Sequence, residues 1–125
     1  MIEQALPTVF VIENDAAVRD SLGMLLERHG FVACLYASAA SFLIDAHPEP
    51  ASFIVVDMDL DGMSGLDLLN EFYQRGIVVP AILTTSGRVT EHLRSAADRA
   101  GVTLLEKPYP PDALIAHLRR TFDNA

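Results

Sequence analysis

VVDMDLDGMSG, residues Val55 to Gly65, ends an apolar run and then places three aspartates at alternate positions ahead of a glycine. An EF-hand calcium loop begins with the same spacing, here at Asp57, Asp59, Asp61 and Gly62. The twelfth position of that loop needs a bidentate glutamate, but here it is Leu68. A calcium loop also follows a helix, whereas Asp57 follows SFIVV, which is typical of a buried strand. We therefore interpret Asp57 as the residue that directly follows a strand, and not as part of a calcium loop.

Composition limits the classes of protein that fit. The 125 residues suit one domain, and the formal net charge of −8 disfavours direct binding to nucleic acid. The single cysteine, Cys34, excludes an internal disulfide and fits a reducing cytosol. The sequence shows no signal peptide and no apolar run of membrane-spanning length. These features predict a soluble cytoplasmic domain without membrane contact.

Strand-like apolar runs alternate with helical patterns along the chain. The predicted strands are TVFVI, FVACLY, SFIVV, VPAILT and VTLLE. The predicted helices are Ala16–His29, a short one capped by Ser38, Gly65–Tyr73, Glu91–Ala100 and a last one after KPYPP. This alternation predicts an α/β fold with a parallel sheet covered on both faces. Short right-handed crossovers favour the doubly wound, flavodoxin-like strand order 2-1-3-4-5 in a single domain, 1–125.

Polar side chains follow the predicted strands where such sheets form their sites, outside the carboxyl ends of the strands. They are Glu13, Asn14 and Asp15 after the first strand, Asp57 after the third, Thr85 and Ser86 at the fourth, and Lys107 after the fifth. Clustered carboxylates attract Mg²⁺, which needs only one or two of them. Asp57 can act as a nucleophile and form an aspartyl phosphate. Lys107 and Thr85 can then stabilise the phosphoryl oxygens.

Four segments together resemble a known family. They are VIENDAAVRDSLGMLLERHGF, IVVDMDLDGMSGLDLL, VPAILTTSG and LLEKPYPPDAL, in this order and at suitable distances. The chain resembles the receiver domains of response regulators in two-component signalling, most closely those of FixJ-type regulators, over about Thr8 to Phe122. The resemblance implies a CheY-like fold and a phosphorylated switch protein that is not an enzyme in the turnover sense.

The resemblance also implies roles for individual residues. Asp57 is expected to be the phosphoacceptor, Thr85 the switch hydroxyl, and Lys107 the phosphate-sensing lysine before a cis bond to Pro108. The implied Mg²⁺ ligands are Glu13, Asn14, Asp57 and the backbone carbonyl of Asp59. Asp15 is expected to cap the first helix instead.

Partners are implied in the same way. A histidine kinase or phosphotransfer protein is expected to dock across the first helix, at Val18, Leu22 and the loop after Lys107. Phosphorylation is expected to repack the fourth helix, fifth strand and fifth helix, within Arg88 to Arg120, where receivers of this type form homodimers.

Four residues depart from the family pattern. Glu13 and Asn14 stand where the family usually has two aspartates, and the neutral Asn14 predicts weakened Mg²⁺ binding. Asp61 replaces a proline that fixes φ, which predicts a more mobile and more negative loop. Leu104 replaces a switching aromatic residue, which predicts an unusual output mechanism.

Three alternatives remain open. A pseudo-receiver that is never phosphorylated is favoured by Asn14, Asp61 and Leu104, and opposed by Asp57, Thr85 and Lys107. A flavodoxin-like cofactor binder needs a loop after the first strand that cradles phosphate. The segment at that place, ENDAAVRD, is acidic and would repel phosphate, which opposes this alternative. We expect a single-domain regulator without an output domain. The alternative is the receiver part of a FixJ-like transcription regulator.

Overall fold

The computed structural model describes residues 7–45 and 52–123. Within these ranges, five parallel strands form one sheet: β1 (Thr8–Ile12), β2 (Val32–Tyr36), β3 (Phe53–Asp57), β4 (Ala81–Thr85) and β5 (Thr103–Glu106). The helices are α1 (Ala16–Arg28), α2 (Ala39–Asp45), α3 (Gly65–Gln74), α4 (Glu91–Ala100) and α5 (Pro111–Asp123). The strand order is β2-β1-β3-β4-β5, so the predicted fold is confirmed. None of the helices in the described ranges has the length and apolar character needed to cross a bilayer.

Alternating side chains on each strand supply two cores, one on each face of the sheet. On β1, Val9 and Val11 pack with residues of α1 and α5, whereas Phe10 and Ile12 pack with residues of α2 and α3. All five residues of β3 and of β4 are buried. The central strands are therefore buried on both faces, as expected of a parallel sheet between two layers of helices.

An aromatic cluster anchors α2 to the sheet. The ring of Phe42 is fully buried, and its centroid lies 4.9 Å from that of Phe72, 5.1 Å from Tyr36 and 5.7 Å from Phe10. Tilted or edge-on aromatic pairs of this kind each contribute about 0.5–1.5 kcal/mol beyond burial of area. The Tyr36 hydroxyl also donates to the Asp45 carboxylate at 3.2 Å, which joins β2 to the end of α2.

Side-chain caps fix four helix starts. Asp15 accepts from the backbone N–H groups of Ala17 and Val18, which confirms its predicted capping role. The Ser38 Oγ accepts from the Ser41 backbone N–H at 3.1 Å and caps α2, as predicted. Ser64 caps α3 and Thr90 caps α4 in the same manner. Each cap satisfies backbone donors that the first helical turn leaves free. Asp15 and Ser64 thereby fix the loops that follow β1 and β3, where the site residues lie.

Candidate functional site

The predicted site residues meet at the carboxyl edge of the sheet. Asp57 ends β3 and pairs in register with Thr84, one residue before Thr85 ends β4. Glu13 directly follows β1, and Lys107 directly follows β5. The Lys107 backbone N–H donates to the Thr85 carbonyl at 2.8 Å, which joins the ends of β4 and β5. The Lys107–Pro108 peptide bond is cis, as predicted.

Three of these side chains, Glu13, Asp57 and Lys107, form an ion cluster that we call the site triad. The Lys107 Nζ lies 2.9 Å from the Glu13 Oε1 and 3.5 Å from the Asp57 Oδ2. Glu13 is 3% exposed and Asp57 is 6% exposed. Buried charges are retained in proteins when they are paired, and here one ammonium serves two carboxylates. The triad therefore carries one formal negative charge in excess.

The environment changes the pKa values of both Asp57 and Lys107. Burial raises the pKa of the Asp57 carboxyl and the nearby Glu13 charge raises it further, while Lys107 and the Asp59 N–H partly offset this. Burial alone would lower the pKa of the Lys107 ammonium. The hydrogen bond to Glu13 and the charges of both carboxylates outweigh burial, so this pKa is raised. Lys107 is therefore a cation at neutral pH, beside an aspartate whose negative charge is incompletely compensated.

Contacts from three directions hold Glu13. Its backbone N–H donates to the Tyr36 carbonyl on β2 at 3.0 Å. Its Oε2 accepts from the Asp15 N–H at 3.2 Å, and its carbonyl accepts from the Arg19 Nη1 at 2.9 Å. Arg19 was not among the predicted site residues. A basic side chain one turn into the helix after an acidic loop was the available signal.

Thr85 is buried, and its Oγ1 accepts a hydrogen bond from the Gly87 N–H at 3.1 Å. This contact joins the hydroxyl to the loop that leads to α4. Leu104 on β5 lies in register with Leu83 and packs partly buried against the core beneath α2 and α3. A half-buried leucine therefore occupies the position where the resemblance implies a switching aromatic residue.

Gly65 is a second residue of the site that was not predicted from the sequence. The Met58 N–H donates to the Thr84 carbonyl at 2.7 Å, and the Gly65 N–H donates to the Met58 carbonyl at 3.0 Å. These bonds bring the start of α3 back against the end of β3. A Cβ on residue 65 would overlap the Asp57 carbonyl. The signal in the sequence was a glycine at the first helical position, where a side chain is ordinarily tolerated.

The donor set can be tested against the predicted Mg²⁺ ion. The structure brings the Glu13 and Asp57 carboxylates to one cluster, while Asn14 and Asp59 have exposed side chains on the adjoining loops. In the part of the chain that the structure describes, no three or more His, Cys, Asp or Glu side chains converge as metal ligands. Mg²⁺ needs only one or two carboxylates and keeps several waters. Two buried carboxylates with excess negative charge therefore fit this ion, although they do not form a dedicated cage.

An apolar groove of about 680 Å³ runs along α1 and reaches Lys107 of the site triad. Its walls include Val18 and Leu22 of α1 and Tyr109 of the segment after β5, and Lys107 lies among its lining residues. The structure therefore places the two predicted docking residues of α1 in one groove with the segment that follows Lys107.

Comparison with known proteins identifies the family. The family model described as the response regulator receiver domain matches residues 9–119. The transcriptional regulatory protein FixJ of Azorhizobium caulinodans is 38% identical over 116 residues, covering 93% of this chain and 54% of that protein. FixJ of Bradyrhizobium diazoefficiens is 34% identical over 119 residues, covering 94% of this chain and 57% of that protein. The chain thus spans about half the length of these relatives.

Solved structures of receiver domains have the same fold as this chain. The crystal structure of FixJ-N superposes with a TM-score of 0.80 at 26% identity, covering 98% of each chain. A CheY-like receiver domain protein from Methanospirillum hungatei JF-1 has a TM-score of 0.85 at 22% identity, covering 96% of each chain, and so supports the fold alone. The predicted resemblance to FixJ-type receivers is confirmed. The chain belongs to the family of response regulator receiver domains.

Proposed function

We propose that this receiver accepts a phosphoryl group on Asp57 from a histidine kinase or a phosphotransfer protein. The observation that carries this proposal is the Lys107 ammonium, 3.5 Å from the buried Asp57 carboxylate at the edge of the sheet. A carboxylate held beside a lysine cation is suited to attack phosphorus, because the cation attracts the anionic donor and the developing oxygen charge.

In the proposed reaction, an Asp57 carboxylate oxygen forms a bond to phosphorus, and the bond from phosphorus to the donor nitrogen breaks. Lys107 pairs with a phosphoryl oxygen, and the Thr85 hydroxyl donates to another. Mg²⁺, held by Glu13, Asn14, Asp57 and the Asp59 carbonyl, would supply further positive charge to these oxygens. The neutral Asn14 weakens this site by one formal charge. The protein modifies its own side chain, so it is not an enzyme in the turnover sense.

The output would begin at Thr85. An aspartyl phosphate adds about two negative charges and strong acceptor oxygens. Movement of the Thr85 hydroxyl toward these oxygens would release the Gly87 N–H and shift the loop that leads to α4. Within α4, all of which is described, Ala97 is the one buried residue, so few contacts oppose such a shift. We propose that α4, β5 and α5 repack together and form the homodimer surface.

The kinase or phosphotransfer protein would dock in the apolar groove beside α1, because Lys107 of the site triad is one of the residues that line this groove. The relatives are named as transcriptional regulators and this chain covers 54–57% of their length. We therefore propose a single-domain regulator, with the receiver part of a longer FixJ-like regulator as the alternative. We also propose that the protein is cytoplasmic.

A second candidate function is a receiver fold that works through partner binding without phosphorylation. The observation that favours it is the 2.9 Å contact between Glu13 and Lys107. This ion pair engages a carboxylate that would otherwise be available to bind the metal. The exposed, neutral Asn14 adds to this argument.

Chemical trapping separates the two candidates. The protein is incubated with phosphoramidate and Mg²⁺ and then reduced with borohydride, which converts an aspartyl phosphate into homoserine. Peptide mass spectrometry should locate homoserine at position 57. Conversion at Asp59 or Asp61 would contradict the assignment of the acceptor, and a folded protein with no conversion would favour the partner-binding candidate.

A further inference from the structure

Glu13, rather than Asp57, is the nearer partner of Lys107. The Nζ lies 2.9 Å from the Glu13 Oε1, within ordinary hydrogen-bond distance, and 3.5 Å from the Asp57 Oδ2. Glu13 is 3% exposed, so this charge-assisted hydrogen bond is shielded from water. Lys107 is thus held on the side of the site that faces β1 and α1.

Glu13 is a fixed acceptor, because other contacts hold it in place. Its Oε2 accepts from the Asp15 N–H, its carbonyl accepts from Arg19, and its N–H donates to Tyr36. The Lys107 side chain is long and 22% exposed, and its ammonium has three hydrogen-bond donors. When the two separate, the lysine should move and the glutamate should stay.

We propose that Glu13 is a positioning residue that holds Lys107 in the unphosphorylated protein, and that Lys107 must leave Glu13 to engage the phosphoryl group on Asp57. The proposal rests on the proposed function and deepens it. The cost of breaking this contact then sets how readily the receiver switches.

The same carboxylate is one of those that would ligate Mg²⁺. Lys107 and the cation therefore compete for Glu13, and by thermodynamic reciprocity each weakens the binding of the other. Cation binding at Glu13 would release Lys107 toward Asp57. The positive charges of the cation and of the Lys107 ammonium would then reach the phosphoryl site together.

The chain offers a sharp test because Lys107 is its single lysine. The probe is a water-soluble N-hydroxysuccinimide ester of acetic acid, used at fixed neutral pH with chelator and without phosphodonor. Mass spectrometry of the peptide that contains residue 107 gives the rate of acetylation, relative to a reference peptide with one lysine.

Glu13→Gln should speed acetylation severalfold, and by more than Asp57→Asn. Glu106→Gln is the matched control, since Glu106 is exposed and adjacent in sequence, and it should leave the rate near that of the unmodified chain.

The proposal is overturned if Asp57→Asn speeds acetylation as much as Glu13→Gln does, or if Glu13→Gln has no effect. Circular dichroism checks that each variant is folded. If Glu13→Gln does not fold, Glu13→Asp keeps the charge and removes one methylene, and should still speed acetylation more than Asp57→Asn. Adding Mg²⁺ should speed acetylation of the unmodified chain, and an unchanged rate in saturating Mg²⁺ would contradict the competition. The metal-free comparison uses no phosphoryl group, so its failure is distinct from a failure of Asp57 to be phosphorylated.

Discussion

The α-carbon of Gly65 lies against the backbone carbonyl of Asp57, at the point where α3 begins. A Cβ on residue 65 would overlap that carbonyl oxygen and would lie 2.8 Å from the Leu83 Cδ1. The carbonyl belongs to a strand end and cannot move without moving the Asp57 carboxylate. Gly65 thereby sets the position of the proposed phosphoacceptor relative to α3.

Gly65→Ala should destabilise the fold. Overpacking of this kind costs about 1–3 kcal/mol, which exceeds the gain of at most about 1 kcal/mol that alanine brings to a helix. Urea denaturation should show the loss. Gly87→Ala is the control, because its Cβ would make an ordinary contact 3.6 Å from the Thr85 Oγ1. Equal stability of Gly65→Ala and the unmodified chain would show that the close approach is relaxed at little cost.

Asp57→Asn should stabilise the metal-free protein at neutral pH. Burial and the Glu13 charge raise the pKa of Asp57, so the folded state binds its proton more tightly than the unfolded state does. The stability contributed by the protonated group is present below the unfolded pKa and is lost as pH rises through the folded pKa. The advantage of Asp57→Asn should therefore be larger at about pH 7 than at about pH 4. Urea denaturation at both pH values in chelator tests this, and an advantage that shrinks with rising pH would contradict it.

Tyr73→Phe should loosen α4. The Tyr73 hydroxyl donates to the Ala100 carbonyl at 2.8 Å and joins the ends of α3 and α4, while α4 itself buries one residue, Ala97. Losing this hydrogen bond should lower the free energy of unfolding by about 0.5–1.5 kcal/mol. Hydrogen exchange should speed more in α4 than in β3. Tyr109→Phe serves as a control elsewhere in the chain, and uniform acceleration across the protein in Tyr73→Phe would contradict a local role.

Thr85→Ala should separate phosphorylation from output. The variant keeps Asp57 and Lys107, so it should still take up a phosphoryl group, but it lacks the hydroxyl that links the site to the Gly87 N–H. Phosphorylation-dependent dimerisation, measured by sedimentation, should be lost in Thr85→Ala and retained in Thr85→Ser. Dimerisation of phosphorylated Thr85→Ala to the same extent as the unmodified chain would show that another residue carries the signal.

The fold was largely predictable from the sequence because its signals are local and repeated. The strand bounds of β1 and the helix bounds of α4 match the predicted ones, since each pattern has clear terminators at both ends. The predicted third strand stopped one residue early, because pairing of Asp57 with Thr84 extends β3 and does not depend on hydrophobicity. Because the strands are parallel, their carboxyl ends lie at the same edge of the sheet. This edge holds Glu13, Asp57, Thr85 and Lys107, as predicted.

The contacts within the site were not predictable in the same way. Glu13 and Lys107 are 94 residues apart, and their ion pair depends on the reach of two side chains rather than on any local pattern. The approach of Gly65 to Asp57 depends on how closely one helix start packs against one strand end. Both contacts depend on differences in interatomic distance of a few tenths of an ångström, and the spacing of residues in the sequence does not encode such differences.

The most direct measurement is the intact mass of the protein after incubation with phosphoramidate, in Mg²⁺ and in chelator, beside an Asp57→Asn variant. We predict a gain of one phosphoryl group that requires Mg²⁺ and is absent in the variant. A folded protein that gains no phosphoryl group in either condition, or an Asp57→Asn variant that gains one equally, would contradict it.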